Sequence, residues 1–267
     1  MGAMKPGLVL TDRRTGLPSV RFAGAPLLRP FTPRNLPSLK LWLAADRIAG
    51  LSDGDPVTTW SDLSGQGNNA TQGTGAAKPL FKTNIANGRP GVLGDGVDDF
   101  MSLPAGLLTA LMAGDRTVFA VAKWVAHAAD AKVMAIYNGG FSTRFGIGED
   151  NGGAGAQWAF IYTTGAAAQT ISAAIGVVPS ANTTQISEAV QSGVNYTGLT
   201  NGTQVGTVTN AGVEAPSQGA IFAGAGGSNQ FGNLYILEVV AYSAALSAAD
   251  RARVRRYLGT RWGVTVS

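Results

Sequence analysis

Residues 60–70 read WSDLSGQGNNA, a run of turn-forming residues between Trp60 and Ala70. Further segments follow in order: NGRPGV (87–92) with GDGVDDF (94–100), Asn201-Gly202, GNLYILEVVAY (232–242), Ala245-Leu246-Ser247, and Tyr257-Leu258 to Trp262-Gly263. Together these segments extend from residue 60 to residue 263, so a fold inferred from them includes most of the chain.

These segments resemble, in the same order, the pattern of laminin-G-like domains of bacterial and phage proteins, within the concanavalin A-like lectin/glucanase superfamily. Residues 60–70 match the W-x-D-x-S-G-x-G-N-x-A signature, and residues 87–100 are similar to the NGRPAV and FDGVDD stretch, with Gly94 in place of the usual Phe. The resemblance implies an all-β, concanavalin A-like antiparallel β-sandwich (jelly roll) with a short C-terminal helix. This fold hosts lectins, adhesion modules, glycosidases and inert structural parts, so function must be argued from sites.

Hydrophobic patterning outside the motifs also favours strands. Strand-like runs occur at 39–44 (LKLWLA), 117–124 (TVFAVAKW), 132–137 (KVMAIY), 157–162 (QWAFIY) and 234–242 (LYILEVVAY). Asn201-Gly202 predicts a two-residue hairpin turn, because both residues tolerate the positive φ that such a turn requires.

One helix is predicted near the C-terminus. Ser247 and Asp250 have the spacing of a capping box, and an apolar stripe containing Val254 and Leu258 follows. Gly259 is expected to end this helix, and its arginines are expected to lie mostly on the solvated face.

The composition is typical of a single all-β domain with many tight turns. Of 267 residues, 45% are apolar, only 13% are charged and 37 are glycine. The absence of cysteine excludes disulfides and thiolate metal sites. Because the chain has neither an apolar run of about 18 residues nor an apolar N-terminal signal, we expect no membrane insertion and no signal-directed secretion.

An extended, basic N-terminal arm (residues 1–37) is expected to precede the sandwich domain (residues 38–267). Six prolines in the arm disfavour helix. Residues 1–47 carry eight Lys/Arg against two Asp, a net charge of +6, whereas residues 48–248 carry −6. The body can therefore attract the arm of a neighbour, which predicts anchoring to other assembly proteins and homo-oligomerisation. Nucleic acid is not the expected partner, because the arginines of the arm do not cluster.

Asp95, Asp98 and Asp99 form a candidate metal site on a glycine-rich loop. Carboxylates are the oxygen ligands that Ca²⁺ prefers, and Asp62 or Asn68 could contribute to such a site. The alternative is a turn in which the aspartate side chains accept hydrogen bonds from backbone N–H groups.

Trp158, Phe160 and Tyr162 form a candidate ligand-binding face. They share one face of their predicted strand by period-two alternation, and aromatic rings can stack on the apolar faces of sugars. The alternative is that these three residues pack in the sandwich core.

The sequence does not favour catalysis. It lacks the Glu-x-Asp-x-x-Glu triplet that the glucanase branch would predict, and its single histidine, His127, has no catalytic partner nearby in the sequence. The favoured hypothesis is a non-catalytic decoration component on the surface of a phage-like virion, released by lysis. The alternative is an extracellular or cell-surface carbohydrate-binding module for glycan adhesion, and glycan hydrolysis is the third hypothesis.

Overall fold

The computed structural model describes residues 8–11, 18–21, 30–127, 131–137, 143–150, 157–164, 167–172, 181–209, 215–224, 227 and 230–267. Side chains are described in this part except at residues 8–11, 18–21, 143–144, 149–150, 157–164, 167–172 and 208.

The chain forms two compact units, Met1–Phe31 and Thr32–Ser267. In the first unit, β1 (Leu8–Thr11) pairs with β2 (Pro18–Arg21) as an antiparallel hairpin. In the second unit, Pro33 and Leu36 are buried, and the backbone carbonyl of Pro33 accepts a hydrogen bond from the Tyr242 hydroxyl. The second unit therefore starts before residue 38.

Within the described residues, sixteen strands build the second unit. In chain order they are β3 (Leu39–Ala44), β4 (Thr59–Trp60), β5 (Ala70–Thr71), β6 (Leu80–Ala86), β7 (Arg89–Asp95), β8 (Met101–Ser102), β9 (Arg116–Trp124), β10 (Lys132–Tyr137), β11 (Thr143–Asp150), β12 (Gln157–Thr164), β13 (Ala167–Ser172), β14 (Thr184–Ser192), β15 (Asn195–Thr200), β16 (Thr203–Thr209), β17 (Gln218–Ile221) and β18 (Asn233–Tyr242). One sheet has the order β13-β12-β11-β10-β17-β8-β5-β4. The other has the order β16-β15-β14-β9-β18-β7-β6, and β3 also pairs with β18.

The two sheets enclose a common core. Phe145 of β11 meets Tyr196 of β15 edge-to-face at 6.1 Å between ring centroids, and the guanidinium of Arg116 in β9 lies 5.5 Å from the centre of the Phe145 ring. All three residues are fully buried. Neighbouring strands pair antiparallel, so the predicted antiparallel β-sandwich is confirmed.

The strands predicted from hydrophobic patterning are present as β3, β9, β10, β12 and β18. The Asn201-Gly202 turn joins β15 to β16 with φ values of 51° and 93° at the two residues. Asn201 also accepts a hydrogen bond from the backbone N–H of Ile186 through its side-chain oxygen, at 2.8 Å. The turn residue therefore also joins the hairpin to β14.

The predicted C-terminal helix exists, but it runs beyond its expected end. Helix α2 (Ala248–Trp262) starts at Ser247, whose hydroxyl accepts a hydrogen bond from the backbone N–H of Asp250 at 3.1 Å. Gly259 lies inside the helix instead of ending it. A glycine is needed at this position because a β-carbon would lie 2.6 Å from the carbonyl oxygen of Val264. Gly263, at φ 72°, ends the helix in the left-handed conformation.

A second helix, α1 (Ala105–Met112), was not predicted. It follows Pro104 without a polar capping side chain, and most of its residues are apolar, so its sequence lacks both a start signal and a polar face. Leu107, Leu108 and Leu111 are buried, so packing stabilises this short helix. In the described part of the chain, no helix has the length and apolar character needed to cross a membrane.

Candidate functional site

The acidic loop of residues 95–99 connects the end of β7 to β8. Gly94 precedes it because Phe222 fills the adjacent space: a β-carbon on Gly94 would lie 2.6 Å from the Phe222 ring. The ring of Phe222 therefore leaves no room for a side chain at Gly94. Gly96 turns the backbone at φ 80°, and Val97 at the tip is 71% exposed.

The structure brings Asp95, Asp98 and Asp99 together, as expected from the sequence. One carboxylate oxygen from each lies within 4.8 Å of the others. Asp95 and Asp98 are exposed, whereas Asp99 is only 4% exposed. Burial, and then the charges of Asp95 and Asp98, raise the pKa of Asp99 to about 6, against a hydrogen bond from the Asp95 backbone.

Both interpretations of this loop have support in its hydrogen bonds. Asp95 Oδ1 accepts from the backbone N–H groups of Val97 and Asp98, and Asp99 Oδ2 accepts from the backbone N–H of Asp95. These bonds form the turn of the alternative interpretation. They also use only one oxygen each of Asp95 and Asp99 within the described residues, which leaves carboxylate oxygens that would hold Ca²⁺.

Asp62 does not join this cluster. Its carboxylate accepts hydrogen bonds from the backbone N–H groups of Trp42, Ser64 and Asn68 at 2.8–2.9 Å, and from the Ser64 hydroxyl at 2.6 Å. The Asn68 amide donates to the backbone carbonyl of Lys40 at 2.8 Å. The signature loop is therefore a self-bonded structure fastened to β3, and its Asp62 and Asn68 have structural roles.

The candidate aromatic residues Trp158, Phe160 and Tyr162 lie in β12, whose side chains are outside the described part of the structure. The strand register pairs Phe160 with Ile147 and Tyr162 with Phe145, and both β11 partners are fully buried. The proposed sugar-stacking role of these three residues therefore stays a prediction.

Sequence reasoning missed a buried ionic cluster beneath α2. Glu238 of β18 is fully buried and accepts hydrogen bonds from the indole N–H groups of Trp42 and Trp262, both at 2.6 Å, and from the Tyr257 hydroxyl at 2.9 Å. The guanidinium of Arg261 lies 3.3 Å away. Burial raises the pKa of Glu238, and the charge of Arg261 opposes that shift. Spacing along the chain could not reveal this cluster, because β18 and β3 meet only in the folded sheet.

The arginines of α2 correct a sequence expectation. Arg251 and Arg255 both pair with the buried Glu188 of β14, at 2.8 and 2.7 Å, and Arg261 pairs with Asp46 as well as Glu238. Only Arg253 and Arg256 are exposed. The prediction that these arginines lie mostly on a solvated face was wrong, because two buried carboxylates of the underlying sheet require cationic partners.

No protein-family model and no curated protein matches this chain. Domain 4 of AbnA, a GH43 extracellular arabinanase from Geobacillus stearothermophilus solved with arabinotriose, is 14% identical with a TM-score of 0.57, covering 82% of this chain and 97% of that domain. The binding domain of Paraclostridial Mosquitocidal Protein 1 is 12% identical with a TM-score of 0.58, covering 87% and 56%.

Trypanosoma rangeli sialidase in complex with sialic acid is 13% identical with a TM-score of 0.57, covering 85% of this chain. This chain spans about a third of the sialidase, since the match covers 34% of that protein. At these identities the likeness concerns the fold alone, which is an antiparallel β-sandwich.

Proposed function

We propose that this chain is a non-catalytic, laminin-G-like module that binds carbohydrate. The observation that carries the proposal is the near-complete match to domain 4 of AbnA, a sandwich solved with arabinotriose, of which 97% is covered. The chain therefore corresponds to a whole domain of the arabinanase, whereas it corresponds to only about a third of the sialidase.

The described carboxylates support binding rather than hydrolysis. One carboxylate oxygen each of Asp95, Asp98 and Asp99 lies within 4.8 Å of the others, a spacing that suits a shared cation. Glu188 and Glu238 are held by ion pairs and hydrogen bonds in the interior, where no sugar could reach them.

A glycan array tests this proposal. The full chain is labelled and applied in calcium and again in chelator, beside an Asp98→Asn variant. Reproducible binding supports the proposal, and loss of binding both in chelator and in the variant assigns Ca²⁺ to the acidic loop. If the chain binds no glycan on the array, either in calcium or in chelator, the carbohydrate proposal is overturned.

The second candidate function is decoration of a phage-like virion. In it the unit Met1–Phe31, which is the part of the expected arm (residues 1–37) outside the sandwich unit, attaches to neighbouring subunits. The separate N-terminal unit, Met1–Phe31, and the opposite net charges of residues 1–47 and 48–248 favour this candidate. On a virion surface the protein would be exposed outside the cell after lysis, and a carbohydrate-binding module at the cell surface would be exposed there as well.

Sedimentation of the full chain tests the attachment role. Homo-oligomers are expected at low ionic strength, and they should dissociate when salt screens the arm. Full-length Arg13→Glu/Arg14→Glu should be monomeric under the same conditions. A monomeric parent chain at all salt concentrations would contradict arm-mediated self-association.

A further inference from the structure

A cleft separate from the acidic loop lies where the start of the second unit meets the signature loop. Its volume is about 350 Å³, within the range of small-ligand sites. Its lining includes Leu36 and Leu39, which are buried, and Arg34, Ser38, Ser64 and Gln66, which are exposed or half-buried. An apolar floor with a polar rim is the arrangement that suits a sugar, which has apolar C–H faces and hydroxyl edges.

Arg34 is oriented but not neutralised. Its Nε donates a hydrogen bond to the backbone carbonyl of Leu63 at 2.6 Å, which fixes one edge of the guanidinium. Among the described residues, no carboxylate pairs with Arg34. The two terminal nitrogens are therefore available as a planar fork, and a carboxylate is the anion that fits such a fork through two parallel bonds.

The rim of the cleft is held in place by its own bonds. Ser64 donates from its hydroxyl to Asp62 at 2.6 Å and accepts from the backbone N–H of Gln66 at 3.1 Å. Ser38 has a φ of 66°, a left-handed conformation that residues with a β-carbon rarely adopt. Its carbonyl accepts from the backbone N–H of Ser243 at 2.9 Å. A rim that is already ordered loses little freedom when a ligand binds.

We propose that this cleft binds a carboxylate-bearing sugar, such as a uronic acid residue, through Arg34. The leucine floor supports the sugar ring, the guanidinium pairs with the carboxylate, and the serine and glutamine side chains contact hydroxyls. This inference rests on the proposed carbohydrate-binding function and names a ligand class and a site for it, independent of the acidic loop.

An NMR titration of the full-length, ¹⁵N-labelled chain tests the inference. D-Glucuronate is added to about 50 mM, a range that covers the weak affinity of single sugars. Neutral D-glucose, acetate and phosphate are titrated separately. Glucuronate should shift the amide signals of Ser38, Ser64 and Gln66, while glucose, acetate and phosphate at equal concentration should shift them far less.

Matched variants assign the effect to the guanidinium fork. Arg34→Gln should weaken glucuronate binding at least about tenfold, and Arg34→Lys should weaken it less, since a lysine keeps the charge but loses the fork. Arg256→Gln, the same change at an exposed arginine of α2, should leave the affinity unaltered. Dispersed spectra of each variant verify folding.

The inference is overturned if glucuronate leaves these amides unshifted, if Arg34→Gln binds it as well as the parent chain, or if phosphate and acetate act equally. These outcomes differ from failure of the proposed function. An array that detects neutral glycans with no effect of Arg34→Gln keeps the proposed function and rejects this site, whereas an array without binding together with unshifted amides in glucuronate rejects both.

Discussion

Asp99 shows how one buried side chain can couple a loop to pH. Its pKa is raised to about 6 because it is buried beside two other carboxylates. A carboxyl group with a raised pKa favours the folded state below its unfolded pKa, near 4, and that contribution is lost as the pH rises through about 6. In the absence of calcium, the stability that Asp99 contributes should therefore fall between these pH values.

The pH prediction is checked by comparing parent chain and Asp99→Asn in chemical denaturation from pH 4 to 7. The parent should lose about 1 kcal/mol more than the variant over this interval, a modest value because solvent screens part of the repulsion. Glu238 titrates in both proteins and cancels in the difference. Parallel pH profiles would contradict the role assigned to Asp99.

The buried carboxylate of Glu238 is the common acceptor for several buried donors. In Glu238→Gln, one carboxylate oxygen becomes an NH₂ group among three hydrogen-bond donors and Arg261. We expect a loss of about 3 kcal/mol of unfolding free energy, because buried donors are left without acceptors. Thermal and urea denaturation measure the loss, and Asp98→Asn, at an exposed carboxylate, should change stability far less.

Elements in this protein depend on context as much as on propensity, and α2 illustrates this dependence. Gly259 has a poor intrinsic helix propensity, yet the carbonyl of Val264 approaches so closely that no β-carbon fits there. Gly106 in α1 has no neighbour within 4 Å of the position that a β-carbon would take. The same substitution at these two helical glycines should therefore have opposite effects.

We expect Gly259→Ala to lower the unfolding free energy by about 1–3 kcal/mol through overpacking, and Gly106→Ala to raise it by up to about 1 kcal/mol. Paired denaturation curves under identical conditions check both values. If both substitutions stabilise the protein, the close contact at Gly259 does not constrain the helix.

At the scale of the whole molecule, two buried carboxylates hold the last helix on the sheet. Glu188 comes from the middle of the chain and Glu238 from its closing strand, and both find arginine partners in α2. The C-terminal helix is therefore part of the cooperative body of the second unit, not an appendage.

A double-mutant cycle tests this coupling. Glu188→Gln and Arg255→Gln should each destabilise the fold, and the double variant should cost less than the sum by about 1–3 kcal/mol. The exposed Lys82–Asp53 pair offers the matched control, whose coupling should lie within experimental error. A cycle at Glu188 without coupling would mean that the helix docks through its apolar residues alone.

Local patterns predicted β3, β9, β10, β12 and β18, the Asn201-Gly202 turn and the start of α2, because alternation, turn chemistry and capping act between residues close in sequence. They also predicted the grouping of Asp95, Asp98 and Asp99, which sit on one short loop. A local pattern could not predict the true end of α2, because that end depends on Val264 folding back against Gly259.

The tertiary structure alone decided which charges are buried and which cleft exists. Glu238 and Trp42 are far apart in sequence, and Arg34 reaches the signature loop only after β3 has placed both segments side by side. Desolvation and ion pairing depend on what surrounds a group in space, so the sequence by itself determined the β-sandwich, and packing determined its buried ionic clusters and its candidate binding surfaces.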